Sequence, residues 1–265
     1  MKKITVIGGD KRLITVKEKL ENAGYIVDTL GLYPDDNGDF TTSKVLVLPV
    51  PTTKDRVNIF TPLTNRIIPL KTVAENTKDQ LILCCNYFFE NKRCVDYGAL
   101  DSYALLNAVP TAEGAIMLAI QNTNFTLWKS KCLVIGYGRV GKVLANRLKS
   151  LGCDVTVTAR KPADLSLSET LGFNYINTEN LNNTFLSFDM IFNTVDVKVI
   201  DDEKLKTLEC KLIIDLSTHG GLSLEKAESL GIKTIKASGL PAKVAPKTAA
   251  EILSKTVIHI INSYN

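Results

Sequence analysis

The stretch Cys132–Lys161, CLVIGYGRVGKVLANRLKSLGCDVTVTARK, constrains the fold more than any other part of the chain. A short apolar run breaks into Gly136-Tyr137-Gly138-Arg139-Val140-Gly141, a helical run follows, and a second strand, DVTVT, comes after it. A G-x-G-x-x-G pattern alone says little, but a strand before it, a helix after it and a second strand beyond are the context the motif needs. Gly136 permits the tight turn, Gly138 lets the backbone approach a pyrophosphate, and Gly141 lets the helix lie close to the sheet. Arg139 and Val140 complete the loop. The helix start offers free N–H groups and a positive dipole end to phosphates. The expectation is a dinucleotide site; the alternative is a glycine turn with no ligand.

The second strand selects the dinucleotide. A site for NAD places Asp or Glu about 20 residues after the glycines, where it accepts hydrogen bonds from the ribose hydroxyls. Here the strand ends at Thr158, Ala159, Arg160 and Lys161. Thr158 does not repel a 2′-phosphate, Arg160 can pair with one bidentately, and Lys161 adds charge. NADP is therefore expected ahead of NAD. The competing possibility is that Arg160 and Lys161 form a solvated basic loop. Asp154 opens the strand and lies too early for the ribose role.

The rest of the chain reads as α/β with mainly parallel strands, because short apolar runs alternate with helical periodicity. ITVIGG, YIVDTL, KVLVLPV and QLILCC are strand candidates in the first half. CLVIG, DVTVTA, DMIFNT, KLIIDLS and KTIKA are those of the second. Lys11–Asn22 carries Leu13, Val16 and Leu20 on one helical face. Pro110 and Thr111 suit the start of a linking helix with Ile116, Met117 and Ile120 on one face. The expected division is an N-terminal substrate-side domain over 1–109, a linking helix over 110–128 and a dinucleotide-binding domain over 129–242. A C-terminal helix, 243–265, is expected to pack back on the first domain.

Composition excludes several classes. The 265 residues carry 32 basic and 28 acidic side chains, a net charge of +4, which is too balanced for a nucleic-acid binder. The N-terminus has only a four-residue apolar run, short of a signal peptide, and no stretch reads as a membrane span, so a soluble, cytoplasmic protein is expected. Six cysteines without a C-x-x-C pair read as reduced buried thiols rather than a zinc or disulfide site, and no metal is expected.

Ligands in such sheets bind at the carboxyl ends of strands. MIFNTVD ends at Asn193 and Thr194, which can line the nicotinamide-ribose side. LIIDLSTHGG ends at Asp215, Ser217 and His219. Asp215 serves a cofactor, caps a helix or forms a turn. His219 has a side chain suited to general acid–base work, or is a turn histidine. His259 lies within the last helical run and reads as structural.

VIGGDKR, VLPVPTT, NAVPTAEGAIMLAIQNT, VIGYGRVG, VTARK and SGLPAKVAPKTAAEIL follow one another in an order that resembles the dipicolinate synthase A-subunit family along nearly the whole chain. The Pro-Thr-x-Glu-Gly-x-Ile-Met and Gly-Leu-Pro…Val-Ala-Pro-Lys-Thr-Ala runs are its specific part. The resemblance implies a Rossmann-type NADP-binding domain plus an N-terminal flavodoxin-like α/β domain, as in alanine and 2-hydroxyacid dehydrogenases. It implies oxidation of dihydrodipicolinate to dipicolinate, with a flavoprotein-like dipicolinate synthase B-subunit for a partner. It also implies possible homo-oligomers and the mother-cell cytoplasm of a sporulating bacterium. Such a substrate needs carboxylate clamps, for which Arg12, Arg139, Lys243 and Lys247 are candidates, with Thr52 and Thr53 adding hydroxyls. Glu113, in the most specific motif, and His219 are rival proton acceptors, with water as a third, although an acid in a first helical turn is favoured by the dipole alone. The chain departs from the family after IIDL, where STHGG replaces a basic residue and Pro-Gly-Gly. It departs again after FNT, where Val195-Asp196 replaces an apolar residue and proline. Two other readings stay open: a non-catalytic NADP-binding component that organises a complex, and a 2-hydroxyacid or amino-acid dehydrogenase.

Overall fold

The computed structural model describes residues 2–218 and 220–264. The chain forms two compact units, Met1–Asn107 with Ala245–Asn265, and Ala108–Val244.

The first unit is built on five parallel strands: β1 (Lys3–Ile7), β2 (Ile26–Leu30), β3 (Val45–Val47), β4 (Leu81–Cys84) and β5 (Cys94–Asp96). Their order, β2-β1-β3-β4-β5, is that of the flavodoxin-like doubly wound sheet. Strand β3 is shorter than KVLVLPV implies, because Pro49 and Pro51 have no N–H for the ladder. The edge strand β5 carries no alternation that would have announced it. Helix α1 (Lys11–Asn22) buries Leu13, Val16 and Leu20, and the Asp10 side chain caps it by accepting the Arg12 N–H at 3.0 Å. Helix α2 (Leu70–Asn76) is short and buries Leu70 and Val73.

The second unit holds β6 (Lys131–Ile135), β7 (Asp154–Ala159), β8 (Asn174–Asn177), β9 (Ser187–Asn193), β10 (Glu209–Asp215) and β11 (Lys233–Lys236). All pair in parallel in the order β11-β10-β9-β6-β7-β8, the Rossmann arrangement with its switch point between β6 and β9. Helices α4 (Arg139–Ser150), α5 (Pro162–Thr170), α6 (Asp202–Lys206), α7 (Leu224–Ser229) and α8 (Leu240–Val244) connect or follow the strands. Cys132, Val134, Leu144 and Leu148 belong to the core on one face of the sheet, and Leu133, Ile135, Ile191 and Ile213 to that on the other.

Helix α3 (Asp101–Asn122) differs from the expected linking helix. It begins at Asp101, nine residues before Pro110, and runs through the proline, with its residues from Ala108 onward in the second unit. A proline inside a helix removes one hydrogen bond and crowds the preceding turn. Burial of Ala108, Ala112, Ala115 and Ala119 on one face holds the helix together across it. That alanine face replaces the expected Ile116–Met117–Ile120 face: Ile116 is buried, but Met117 and Ile120 are 38% and 57% exposed. A side chain at Gly114 would sit 3.0 Å from the Leu240 Cβ, so the small residues let α8 approach α3 closely. By length and composition α3 is apolar enough to cross a membrane, contrary to the expectation that no stretch is.

Helix α9 (Pro246–Ser263) starts with proline at its first turn and returns to the first unit, where it packs along α1. Leu253, Val257, Ile260 and Ile261 are buried in the same core as Leu13, Val16 and Leu20, each worth about 1.5–3 kcal/mol. The Tyr25 hydroxyl donates to Asn262 Oδ1 at 2.8 Å and fixes the end of the helix.

Candidate functional site

The glycine loop is held from three sides. Gly136 has φ 93°, in the left-handed region, and a Cβ there would come within 2.5 Å of Val195 Cγ1 and 2.7 Å of Thr194 Oγ1. Its N–H donates to Thr158 Oγ1 at 3.1 Å, and the Thr194 hydroxyl donates to Ile135 O at 2.8 Å. A Cβ on Gly141 would run into the carbonyl oxygen of Gly136, so only glycine lets α4 close over the loop. Gly138 is different: no atom lies within 4 Å of where its Cβ would be. Gly138 is the N-cap of α4 and no side chain caps that end, so N–H groups of the first turn face the open space beside it.

That space is a cavity of about 510 Å³ bounded by the glycine loop, the end of β7 and the loop after β9. Arg139, Val140, Thr158, Arg160, Lys161 and Thr194, all expected at the cofactor, line it. Arg160 and Lys161 are exposed, and neither forms an ion pair among the described residues. Thr158 is fully buried, and its hydroxyl is spent on Gly136, so it shapes the loop instead of reaching outward. One lining feature escaped the sequence. Asp164 of α5 borders the cavity and is neutralised by Lys142 Nζ at 2.8 Å, a pairing 22 residues apart that no local pattern signals. Val195, Asp196 and Val197 line the opposite side.

Asn193 and Asp215 need correction. Both are fully buried and neither borders the cavity. The strand register sets Asn193, Asp215 and Lys236 side by side on β9, β10 and β11. Asn193 Nδ2 donates to Asp215 Oδ1 at 2.8 Å and to Val195 O at 2.9 Å. Lys236 Nζ reaches Asp215 Oδ2 at 2.7 Å, and the Ser217 N–H reaches Oδ1 at 3.0 Å. Burial alone would raise the Asp215 pKa, but hydrogen bonds from Lys236, Ser217 and Asn193 outweigh it and hold the carboxyl below its ordinary value. The group therefore ties the sheet end together. Because the folded pKa is lowered, its stabilisation is present above the ordinary carboxylate pKa near 4 and is lost as pH falls through the folded value. Lys236→Met should lower stability at pH 7 by about 2 kcal/mol, since it strands a buried carboxylate beside a partly exposed partner. Denaturant melts should show this difference shrinking below about pH 4.

The departures from the family meet in one contact: Asp196 Oδ1 accepts the Thr218 N–H and links the loops after β9 and β10. His219 lies outside the described residues. Glu113 is the thirteenth residue of α3, not in its first turn, so the helix dipole does not explain it. Its exposed carboxylate pairs with Arg147 Nη2 at 3.1 Å and does not border the cavity. Such a surface pair contributes little.

Of the expected substrate contacts, Arg12, Thr52 and Thr53 lie in the first unit. The Thr52 hydroxyl is fully engaged: it accepts the Cys85 N–H at 2.8 Å and donates to Pro49 O at 3.3 Å. Thr53 Oγ1 is likewise held within its loop by Asp55 and Arg56. Both hydroxyls serve the local chain. Arg12 pairs with Asp10 through Nε and Nη2. Lys243 on α8 and Lys247 on α9 are exposed and lie in different units. Among the described residues no three His, Cys, Asp or Glu side chains are grouped to hold a metal. All six cysteines are free thiols, and burial pushes those of Cys85 and Cys210 up to about 12.

Comparison with known proteins follows the same lines. The family described as the dipicolinate synthase A-subunit N-terminal domain matches residues 3–91. The curated dipicolinate synthase A-subunit of Bacillus subtilis (strain 168) is 31% identical, over 98% of this chain and 95% of its own length. This chain belongs to the dipicolinate synthase A-subunit family. Crystal structures of that protein from Bacillus halodurans and Bacillus subtilis superpose with TM-scores of 0.87 and 0.88 at 28% and 30% identity. Each comparison covers 98% of this chain, with 97% and 96% of the respective crystal chains. D-lactate dehydrogenase from Escherichia coli shares the fold at a TM-score of 0.63 and 15% identity, over 99% of this chain and 96% of its own. The family members thus have the two-sheet parallel α/β architecture of this dehydrogenase fold, and residue-level roles must come from the site itself.

Proposed function

We propose that this chain oxidises dihydrodipicolinate to dipicolinate with NADP, acting together with a flavoprotein-like B-subunit in the mother-cell cytoplasm of a sporulating bacterium. The observation that carries the cofactor reading is the rim of the cavity after β7. The strand ends there without an acid, and Arg160 and Lys161 stand exposed without ion-pair partners among the described residues. A 2′-phosphate matches two unpaired cations, one of them a planar guanidinium. The open space at Gly138 fits a pyrophosphate against the start of α4.

When bound, oxidised NADP supplies a hydride acceptor at its nicotinamide ring. The reaction removes a hydride and a proton from the dihydro ring, giving dipicolinate, NADPH and H⁺, and aromatisation drives it. The chain's residues bind and orient. Gly136, Gly138 and Gly141 admit the phosphates, with Arg139 and Val140 at the helix start. Arg160 and Lys161 hold the 2′-phosphate. Thr158 and Thr194 lock the loop to the sheet, which fixes its geometry before ligand arrives. Lys243 and Lys247 are cations available for the substrate carboxylates. His219 is the proton acceptor of this reading, because Glu113 does not border the cavity.

The position of Glu113 away from the cavity favours a second reading, a dinucleotide-binding component that organises the complex while the partner carries the chemistry. Absorbance at 340 nm separates the two once freshly generated dihydrodipicolinate and oxidised NADP are supplied, with and without the B-subunit. NADPH should form in the presence of the partner, and His219→Ala should slow it by about 100-fold. No NADPH under either condition overturns the proposal, and an unaffected His219→Ala rate favours the organising role.

A further inference from the structure

The carboxyl end of the first sheet has its own switch point, between β1 and β3, where ligands of such sheets bind. Arg12 spans it. The residue is only 7% exposed, and three contacts orient its guanidinium: Nε to Asp10 Oδ1 at 2.9 Å, Nη2 to Asp10 Oδ2 at 2.8 Å and Nη2 to the Val50 carbonyl beyond β3 at 2.7 Å. These contacts use Nε and Nη2. Nη1 makes no hydrogen bond to any described residue.

A second donor is left over in the core that α1 covers. Tyr103, on the first-unit turns of α3, is 3% exposed, and its buried hydroxyl has no hydrogen-bond partner among the described residues. Its ring stands edge-on to Tyr97 with centroids 5.5 Å apart, and the Tyr97 hydroxyl is bound to Leu48 O at 2.8 Å. Tyr97 and Tyr103 share the core that contains Leu13 and Cys85 and is flanked by Val50. Burial, and then Cys85, raise the Tyr103 pKa, so the group is a neutral O–H donor, and Arg12 and Asp10 both lie within its electrostatic reach. A buried hydroxyl with nothing to bond is costly unless a ligand completes it. Two leftover donors, one charged and one neutral, at the carboxyl end of the sheet suit an acceptor with two oxygens.

We propose that Nη1 of Arg12 and the hydroxyl of Tyr103 together receive one carboxylate of the substrate. Asp10 is then a positioning residue: it holds the Nε edge of the guanidinium and turns Nη1 toward the ligand. Because the Asp10–Arg12 pair is neutral as a unit, recognition comes from two directed donors and the start of α1, not from excess charge. This rests on the dicarboxylate reading of the substrate.

Tyr103→Phe gives a clean test, because the hydroxyl has no hydrogen-bond partner among the described residues to lose. The variant should melt no lower than the unmutated chain. Calorimetric titration with dipicolinate should show affinity falling by 10-fold or more, with picolinate, which has a single carboxylate, as comparator. In the complex with the B-subunit, KM for dihydrodipicolinate should rise by a similar factor while kcat changes less than twofold. Equal dipicolinate affinities for the two proteins, with NADPH formation intact, overturn this assignment alone. Failure of the unmutated protein to bind dipicolinate overturns both the assignment and the substrate reading.

Discussion

Replacing Gly138 with alanine is expected to weaken dinucleotide binding by about 10–100-fold while leaving the protein almost as stable as before. Gly138 has φ −81°, which any residue adopts, and its missing side chain faces empty space. Alanine is a poorer N-cap than glycine, but it also restricts the unfolded chain, so the net stability change should stay within about 1 kcal/mol. The added methyl instead occupies the approach of the phosphates, a steric conflict worth about 1–3 kcal/mol, or about 10–100-fold in affinity. Gly141→Ala should behave differently. Its methyl meets the Gly136 carbonyl inside the protein, so stability should drop by about 2–3 kcal/mol and affinity should fall with it. Thermal melts with and without NADPH, run on both variants, check the contrast. A Gly138→Ala protein that binds NADPH normally would show that no phosphate lies against the loop.

Arg160→Ala should weaken NADPH about 30–100-fold, matching a loss of about 2–3 kcal/mol for charge-assisted hydrogen bonds, while NADH changes less than threefold. Arg160 is exposed and has no ion-pair partner among the described residues to release, so its removal should not disturb the fold. The difference should shrink as salt rises, because an exposed cation is screened. Adding Lys161→Ala should deepen the NADPH loss only, and calorimetry of both nucleotides reads it directly. Equal affinities of the unmutated protein for NADPH and NADH would mean that Arg160 and Lys161 are a solvated loop.

Much of the second unit was legible because its signals are local. A strand, a glycine loop and an amphipathic helix follow one another within Cys132–Ser150, and each glycine meets a requirement the sequence states. The strands β5 and β8 were not legible, since both are edge segments of three and four residues without alternation. The start of α3 was hidden by Pro110, which reads as a helix start until the buried alanines on both sides of it are seen. At the site, Arg160 and Lys161 stood out because a missing acid is visible in sequence. Asn193 and Asp215 were found at strand ends, but their role depends on register across β9, β10 and β11, which no local pattern carries. Thr158 is a similar case, spent on a glycine 22 residues away. Tyr103 gave no signal at all, because an unpaired hydroxyl exists only once the chain is folded.

The most direct measurement of the central claim follows a label. Dihydrodipicolinate deuterated at its saturated ring carbons is oxidised by the complex in the presence of oxidised NADP, and the NADPH formed is isolated for NMR. Deuterium at C4 of the nicotinamide is the expected result, with the Arg160→Ala protein forming labelled NADPH far more slowly at limiting cofactor. Dipicolinate formed with both departing ring hydrogens released to water, and no deuterium at C4, would contradict direct transfer to a dinucleotide bound by this chain.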